Sequence, residues 1–250
     1  MGYSEKSSGA INDSEPLSSQ ETTDNKHIQI QELFLGIFAH ELRTQFAGII
    51  QACGYLRGEK SELYLSAIIT ISKSTLHVLD NMLSTVKINA GKLTINPTNE
   101  TFLFSSWLSE LIAPFELHSR MKGNDIQIFY GTGTDTLLIN TDKVKLGQVL
   151  ANLLSNAIKC CTRSTSIDII ANATESGLLL QVRNRGIQIP TEKESHLFEP
   201  FYQLDNGLAG SGLGLFLSRI YTEALGGSIE VDCQADTTVF SILLPCSTSH

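Results

Sequence analysis

The stretch DKVKLGQVLANLLSNAIKCCT, Asp142 to Thr162, decides how the second half of the chain folds. Its spaced apolar residues predict an amphipathic helix over Lys143 to Cys161. Asn152 and Asn156 stand one turn apart on one face of that helix, and Lys159 follows three residues later. Two amides and an ammonium on one ridge suit a hydrated Mg²⁺ ion and the phosphates it bridges, because Mg²⁺ prefers oxygen ligands and keeps waters. An ordinary polar helix face is the simpler interpretation of the same residues.

A glycine-rich stretch, GSGLGL from Gly210 to Leu215, lies further along the chain. Its backbone amides can approach a polyphosphate at the start of the helix predicted over Leu213 to Leu225. The segments VRNRGIQIP and LFEPF stand before it, followed by a short lid-like loop that contains Gly207. A glycine-rich match of this kind is weak evidence when it stands alone.

Short strands alternate with helices from Glu100 onward, which predicts a domain of mixed class over residues 93–250. The strand-like runs are Ile126–Tyr130, Thr136–Ile139, Ser166–Ala171, Gly177–Arg183, Ser228–Cys233 and Val239–Leu244. A further helix is predicted over Phe104–Met121. This order predicts one sheet covered on one face by helices, an α/β sandwich.

The residues before this domain have a different pattern. Residues 1–27 are rich in Ser, Thr, Glu, Asp and Gln, and are predicted to form a disordered tail or linker. Over residues 28–92 two apolar stripes recur at three- and four-residue steps, which predicts two long helices in an antiparallel hairpin. A hairpin alone buries only one face of each helix, so two copies forming a four-helix bundle are expected, and with them a homodimer.

Composition excludes several classes of partner. The formal net charge of -8 disfavours a nucleic-acid groove or an anionic membrane surface, since both need concentrated Lys and Arg. Apolar runs stay shorter than the roughly 18 residues of a membrane helix, so any membrane connection is expected in segments absent from this chain. The five cysteines form no CxxC pair and are interpreted as reduced thiols of a cytoplasmic protein, or of the cytoplasmic portion of a membrane receptor.

The first predicted helix carries FAHELRTQF, in which His40 directly precedes Glu41. An imidazole nitrogen is a competent nucleophile toward a phosphoryl group when a base holds or removes its other proton. Adjacent helical residues do not face each other, so this pairing requires a specific rotamer. A solvated His-Glu pair on a bundle surface is the alternative interpretation.

The order and spacing of five blocks resembles the sensor histidine kinase family of two-component signalling systems. The blocks are the phosphoacceptor motif FAHELRTQF, the asparagine motif NLLSNAIK, the first glycine motif NRGIQIP, the phenylalanine motif LFEPF and the second glycine motif GSGLGL. The resemblance implies a dimerisation and histidine phosphotransfer hairpin followed by a Bergerat-type ATP-binding domain. ATP and Mg²⁺ are then the expected cofactors, and a response regulator is the expected partner.

The resemblance implies a role for each matching residue of the hairpin. His40 would accept the γ-phosphoryl group of ATP, with Glu41 as the adjacent general base. Arg43 would help to position phosphate. Thr44 would correspond to the residue that helps a water attack the phosphorylated aspartate of the response regulator.

In the second domain the resemblance implies that Asn156 holds Mg²⁺, with Asn152 and Lys159 near the nucleotide phosphates. Gly186 would line the adenine pocket. Three further glycines would let the lid wrap the triphosphate: Gly210, Gly212 and Gly214.

The sequence departs from the family pattern at three positions. Asn184 stands where the family has an aspartate that reads the exocyclic amine of adenine. Its amide oxygen still accepts that hydrogen bond, but loss of the charge costs on the order of 1 kcal/mol. Gln188 replaces the second glycine of the motif, where backbone with positive φ or close approach is expected. Gln45 replaces proline, so the helix keeps an amide and is less prone to kink after His40.

Three hypotheses follow for the function. The first is an ATP-dependent autophosphorylating histidine kinase that is also a phosphatase of its response regulator. The second is a degenerate kinase-like dimer that binds ATP weakly or not at all and regulates another kinase or a response regulator by contact, which Asn184 and Gln188 motivate. The third is a related ATPase such as a chaperone or topoisomerase subunit, which the hairpin with His40 disfavours.

Overall fold

A computed structural model describes residues 42–56, 61–89, 95–204 and 211–245, with Gly36 and Ala39 before them and with only part of the side chains in 61–89. The predicted tail over 1–27, the His40–Glu41 pair and Gly210 lie outside the described residues. All elements below belong to the compact unit Glu41–His250, which is distinct from the unit Met1–His40. The predicted boundary between domains at residue 93 stays a prediction.

Two helices open the described part of the chain. Residues 42–54 form α1, and Ser61–Asn89 form α2. The rings of Tyr55 and Tyr64 stack with their centroids 5.1 Å apart at the end where the helices are joined. Further along, a methyl group added at Gly48 of α1 would lie 3.3 Å from Cδ1 of Ile71 in α2. The two helices therefore pack closely along their facing sides.

The rest of the chain alternates strands and helices. The strands are β1 (Glu100–Leu103), β2 (Asp125–Tyr130), β3 (Leu138–Thr141), β4 (Ser166–Thr174), β5 (Gly177–Arg185), β6 (Ser228–Gln234) and β7 (Thr237–Leu244). The helices are α3 (Phe104–Met121), α4 (Lys143–Cys160), α5 (Thr191–Glu194), a 3-10 turn (Ser195–Phe198) and α6 (Gly214–Ala224). The predicted α/β sandwich is confirmed.

Five strands form the main sheet, in the order β2-β4-β5-β7-β6. Only β2 and β4 run parallel, and the other neighbours are antiparallel. Six helix-facing side chains of the adjacent strands β4 and β5 are fully buried and apolar: Ile167, Ile169, Ala171, Leu178, Leu180 and Val182. They pack under α4, which itself contacts both α3 and α6.

The prediction of a single sheet is wrong in one respect. The run predicted at Thr136–Ile139 forms β3 two residues later, at Leu138–Thr141, and it pairs with β1 in a separate two-stranded sheet. The hydroxyl of Thr136 instead donates to the carbonyl of Gly133 in the preceding turn, at 3.3 Å. Turn hydrogen bonding therefore delays the start of this strand.

The long helix α4 begins at a side-chain cap. Oδ1 of Asp142 accepts hydrogen bonds from the backbone N–H groups of Val144 and Lys145 at 3.0 and 2.9 Å. These are two of the donors that a helix start leaves unsatisfied. The other carboxylate oxygen accepts from the N–H of Thr98 at 2.9 Å, so the segment after α2 is fixed to the start of α4.

No helix in the described part of the chain combines the length and the apolarity that crossing a membrane requires.

Candidate nucleotide-binding site

Asn152 connects three helices at the centre of the predicted asparagine ridge. Its side chain is buried, and Nδ2 donates to the carbonyl of Gly214 at 3.1 Å and to Oγ of Ser218 at 3.4 Å. Its Oδ1 accepts from Nδ2 of Asn81 in α2 at 3.2 Å. Asn152 therefore fixes the start of α6 against α4. The expected proximity of Asn152 to phosphates stays a prediction.

The start of α6 has the geometry of an anion site. No described side chain caps this helix, and the N–H of Leu213 is bonded to Oγ of Ser211 at 3.4 Å. Gly212 has a φ of +70°, and a methyl group there would lie 2.5 Å from the carbonyl carbon of Phe201. The N–H of Phe201 donates to the carbonyl of Gly212 at 3.0 Å. Residue 212 must therefore be glycine, and among the described residues no side chain caps the positive end of the α6 dipole.

Asn156 lies one turn beyond Asn152 on the same face of α4 and is half-buried. Its amide oxygen is the kind of ligand that Mg²⁺ takes, and Mg²⁺ completes its shell with waters and phosphate oxygens. Among the described residues no three His, Cys, Asp or Glu side chains gather into a metal site. The amide oxygen of Asn156 fits a hydrated Mg²⁺ brought with phosphates, and its part in holding the ion stays a prediction.

Lys159 is exposed at the end of α4. Burial lowers the pKa of His118 in α3, and the charges of Lys122 and Lys159 lower it further. Burial raises the pKa of the Cys160 thiol, while the same two lysines oppose that effect. The two ammonium groups therefore act on one patch between α3 and α4. A contact of Lys159 with phosphate stays a prediction.

Asn184 lies at the other end of the ridge, on the helix-facing side of β5. It is 4% exposed and stands in register between Ile167 of β4 and Thr238 of β7, which is 5% exposed. The carboxamide makes no hydrogen bond to any residue that the structure describes. Sequence reasoning missed Thr238, since only the strand register brings its hydroxyl to the position opposite Asn184.

Gly186 joins the end of β5 to the end of α4. A methyl group there would overlap the carbonyl oxygen of Cys160 and lie 2.8 Å from its carbonyl carbon. The N–H of Thr162 donates to the carbonyl of Arg185 at 2.8 Å, and the N–H of Gly186 donates to the carbonyl of Asp236 at 2.7 Å. The absence of a side chain thus brings the Asn156 end of α4 to the Asn184 end of β5.

The backbone accepts a side chain at position 188. Gln188 is exposed, and it is not among the described non-glycine residues with positive φ, which are Ser164, Phe201 and Ala235. Gln188 therefore does not have the positive φ that is one of the two expectations, and a close approach at this position stays a prediction. The role of Asn184 in contacting a base stays a prediction.

The described hairpin residues of the acceptor motif lie on α1. Arg43 and Thr44 are exposed, and the helix runs through Gln45 without interruption. Helix α2 meets the site directly, because the hydroxyl of Tyr221 in α6 donates to Oγ of Ser84 at 2.8 Å. The α2 helix therefore contacts α6 through Ser84 and α4 through the asparagine pair described above.

The fold agrees with comparisons to known proteins. Residues 141–248 match the family model of histidine kinase-, DNA gyrase B- and HSP90-like ATPases. The sensor protein GacS of Pseudomonas syringae pv. syringae is 33% identical over 220 residues, which cover 82% of this chain and 24% of GacS. The histidine-protein kinase BarA of Escherichia coli K12 is 30% identical over 222 residues, covering 82% of this chain and 23% of BarA.

Solved structures show the same fold. The Acinetobacter baumannii histidine kinase AdeS superposes with a TM-score of 0.57 at 22% identity, covering 82% of this chain and 97% of AdeS. The catalytic domain of histidine kinase ThkA superposes with a TM-score of 0.54 at 26% identity, covering 59% of this chain and 97% of that domain.

Residues 141–248 thus form an ATP-binding domain of the histidine kinase, gyrase and HSP90 class. The matches extend over most of the chain, and it belongs to the sensor histidine kinase family. It spans about a quarter of the length of the curated relatives it matches, 24% of one and 23% of another.

Proposed function

We propose that this chain is an ATP-dependent protein-histidine kinase that phosphorylates His40 and passes the phosphoryl group to an aspartate of a response regulator. The observation that carries the proposal is the α4 ridge beside the start of α6, which follows Gly212 and which no described side chain caps. Asn156 offers an oxygen ligand there, and the first backbone N–H groups of α6 have no described side-chain cap and can bind a polyphosphate. These are the groups that a bound ATP with Mg²⁺ requires.

The transfer step needs a nucleophile and a base. The imidazole of His40 attacks the γ-phosphorus, a nitrogen–phosphorus bond forms, and the bond from that phosphorus to the oxygen of the departing ADP breaks. Glu41 takes the imidazole proton. In the second transfer the aspartate of the response regulator attacks the same phosphorus and His40 leaves. Arg43 and Thr44 are exposed on α1, where a phosphate or a partner can reach them.

A homodimer belongs to the same proposal. The two helices expose a stripe of large apolar side chains, each between 49% and 71% accessible: Phe46, Ile50, Leu65, Ile69, Leu76 and Leu83. On α2 these residues recur at four- and seven-residue steps, as in helices that pair along a seam. A second copy would cover the stripe and complete a four-helix bundle. A cytoplasmic location also belongs to this proposal.

The experiment is incubation of the purified chain with Mg²⁺ and γ-labelled ATP, with His40→Gln as the matched variant. The expected product carries a label that is acid-labile and alkali-stable, and the variant carries none. Equal labelling of both proteins would refute the assignment of His40. Sedimentation of both proteins should show dimers, and a monomer at micromolar concentration would contradict the bundle.

Asn184 favours a second candidate function. A pocket that has lost the charged acceptor for the base can bind ATP too weakly to support catalysis. The chain would then act as a kinase-like dimer that regulates another kinase or a response regulator by contact. Absence of label at saturating ATP, from a folded dimer, would favour this function over the first.

A further inference from the structure

The carboxamide of Asn184 is a buried polar group without a protein partner among the described residues. A buried amide without hydrogen bonds costs free energy, so such groups are almost always satisfied by protein, water or ligand. Its two polar atoms are not among the described side-chain atoms that are both sealed from solvent and unpaired. The polar atoms of the amide therefore keep some contact with solvent, from which a ligand can reach them.

An amide differs from a carboxylate in the hydrogen bonds that it can form with a base. An ionised carboxylate only accepts hydrogen bonds, whereas an amide accepts through Oδ1 and donates through Nδ2. A carboxylate therefore suits the 6-amino group of adenine and repels the 6-carbonyl group of guanine or hypoxanthine. The amide of Asn184 suits both kinds of base, according to which of its atoms faces position 6.

Each kind of base can form two hydrogen bonds with this amide. With adenine, Oδ1 accepts from the 6-amino group and Nδ2 donates to N1. With a 6-oxopurine, Oδ1 accepts from the protonated N1 and Nδ2 donates to the 6-carbonyl oxygen. The two pairings are related by a flip of the amide, and both leave the amide fully satisfied on that edge.

The surroundings of Asn184 do not fix one orientation of the amide. Its cross-strand neighbours are the apolar Ile167 and Thr238, whose hydroxyl already hydrogen-bonds the thiol of Cys233 on the next strand. The ion pair of Arg183 with Asp168 occupies adjacent positions of the strands and so projects from the opposite face of the sheet. Neither neighbour therefore selects a donor or an acceptor at this position.

We infer that Asn184 gives the base pocket dual specificity, so that the chain binds 6-oxopurine nucleoside triphosphates as well as ATP. This inference rests on the proposed function, because it assigns Asn184 to the base end of the nucleotide site. It makes Asn184 the residue that determines nucleotide specificity.

The test compares ATP with inosine triphosphate, which differs from ATP only at position 6 and the adjacent N1. Binding of each nucleotide to the full chain is measured by titration calorimetry in Mg²⁺. We expect the two dissociation constants of the unaltered protein to agree within about tenfold, because both bases form the same number of hydrogen bonds. Since this comparison uses the natural chain, it does not depend on the folding of a variant.

The matched variant is Asn184→Asp, which changes one atom of the side chain. The carboxylate should bind ATP more tightly and should reject inosine triphosphate, so the ratio of the two dissociation constants should rise at least tenfold. A ratio that does not change in the variant would overturn the assignment of Asn184.

Two outcomes separate this inference from the proposed function. Binding of ATP with rejection of inosine triphosphate by more than about a hundredfold in the unaltered chain overturns dual specificity and leaves the kinase proposal standing. Binding of neither nucleotide overturns both.

Discussion

Gly186→Ala tests the joint between the end of α4 and the end of β5. The added methyl group would overlap the carbonyl oxygen of Cys160 and lie 2.8 Å from the carbonyl carbon. Neither atom belongs to a flexible side chain, so the helix end and the strand end must move apart. The hydrogen bond from the N–H of Thr162 to the carbonyl of Arg185, at 2.8 Å, spans this joint and should weaken.

The magnitude follows from three contributions. Overpacking of a rigid site costs about 1–3 kcal/mol. Loss of one buried hydrogen bond costs about 1 kcal/mol. Replacing glycine lowers the conformational entropy of the unfolded chain, which stabilises the folded state by about 0.4–1 kcal/mol. The free energy of unfolding should therefore fall by about 2 kcal/mol.

The measurement is urea unfolding followed by the fluorescence of Trp107, which is the single tryptophan and is 5% exposed in the core. With a slope of about 2 kcal/mol per molar, the midpoint of Gly186→Ala should fall by about 1 M. Gly147→Ala in α4 is the matched control. Its methyl group would lie 3.7 Å from Cδ1 of Leu111 in α3, which is an ordinary van der Waals contact. The control should gain about 0.5–1 kcal/mol from helix propensity. Midpoints of Gly186→Ala and the unaltered chain that agree within about 0.2 M would refute the reasoning.

Three further predictions concern groups outside the nucleotide site. Arg183→Met removes both donors to Oδ2 of Asp168, which lie at 3.0 and 2.8 Å. The free energy of unfolding, measured by urea unfolding, should fall by about 1–2 kcal/mol. An unchanged urea midpoint would contradict this. Burial, aided by two nearby lysines, lowers the pKa of His118 from 6.5. As the pH falls, the imidazole therefore binds a proton in the unfolded chain before it does so in the folded chain. The free energy of unfolding should fall as the pH drops below about 6.5. His118→Gln should reduce that slope, and identical slopes in both proteins would count against the shift. Burial, with the charge of a nearby glutamate, raises the pKa of Cys233 to about 11. Iodoacetamide at pH 8 should therefore modify Cys233 at least about tenfold more slowly than the exposed Cys53. Equal modification rates by mass spectrometry would be inconsistent with this.

Local patterns predicted the helices of the ATP-binding domain well. The predicted Phe104–Met121 coincides with α3, and the predicted Lys143–Cys161 differs from α4 by one residue. An amphipathic repeat and a capping aspartate act within a few residues of sequence, so they can be recognised without knowledge of the fold. The strand Glu100–Leu103 escaped prediction, because its exposed pattern lacks alternation and it exists by pairing with β3.

Asn184 and Gln188 also show which features can be predicted from the sequence and which cannot. The sequence marked Asn184 as a departure from the family pattern, but it could not show that Thr238 stands opposite it. It also predicted positive φ or close approach at Gln188, and the backbone there is exposed and outside the positive-φ region. Strand register and backbone torsion are set by partners far along the chain, and no local repeat records them.

The sequence by itself determined the class of protein, since the asparagine ridge, the glycine-rich start of α6 and the His40 motif are each contained in a short stretch. The tertiary structure decided what these residues contact. Asn152 meets Gly214 across 62 residues of sequence and Asn81 across 71. Gly186 is required because the backbone of Cys160 passes against it. Motifs depend on local spacing, whereas hydrogen-bond partners and close approaches depend on packing that brings distant segments together.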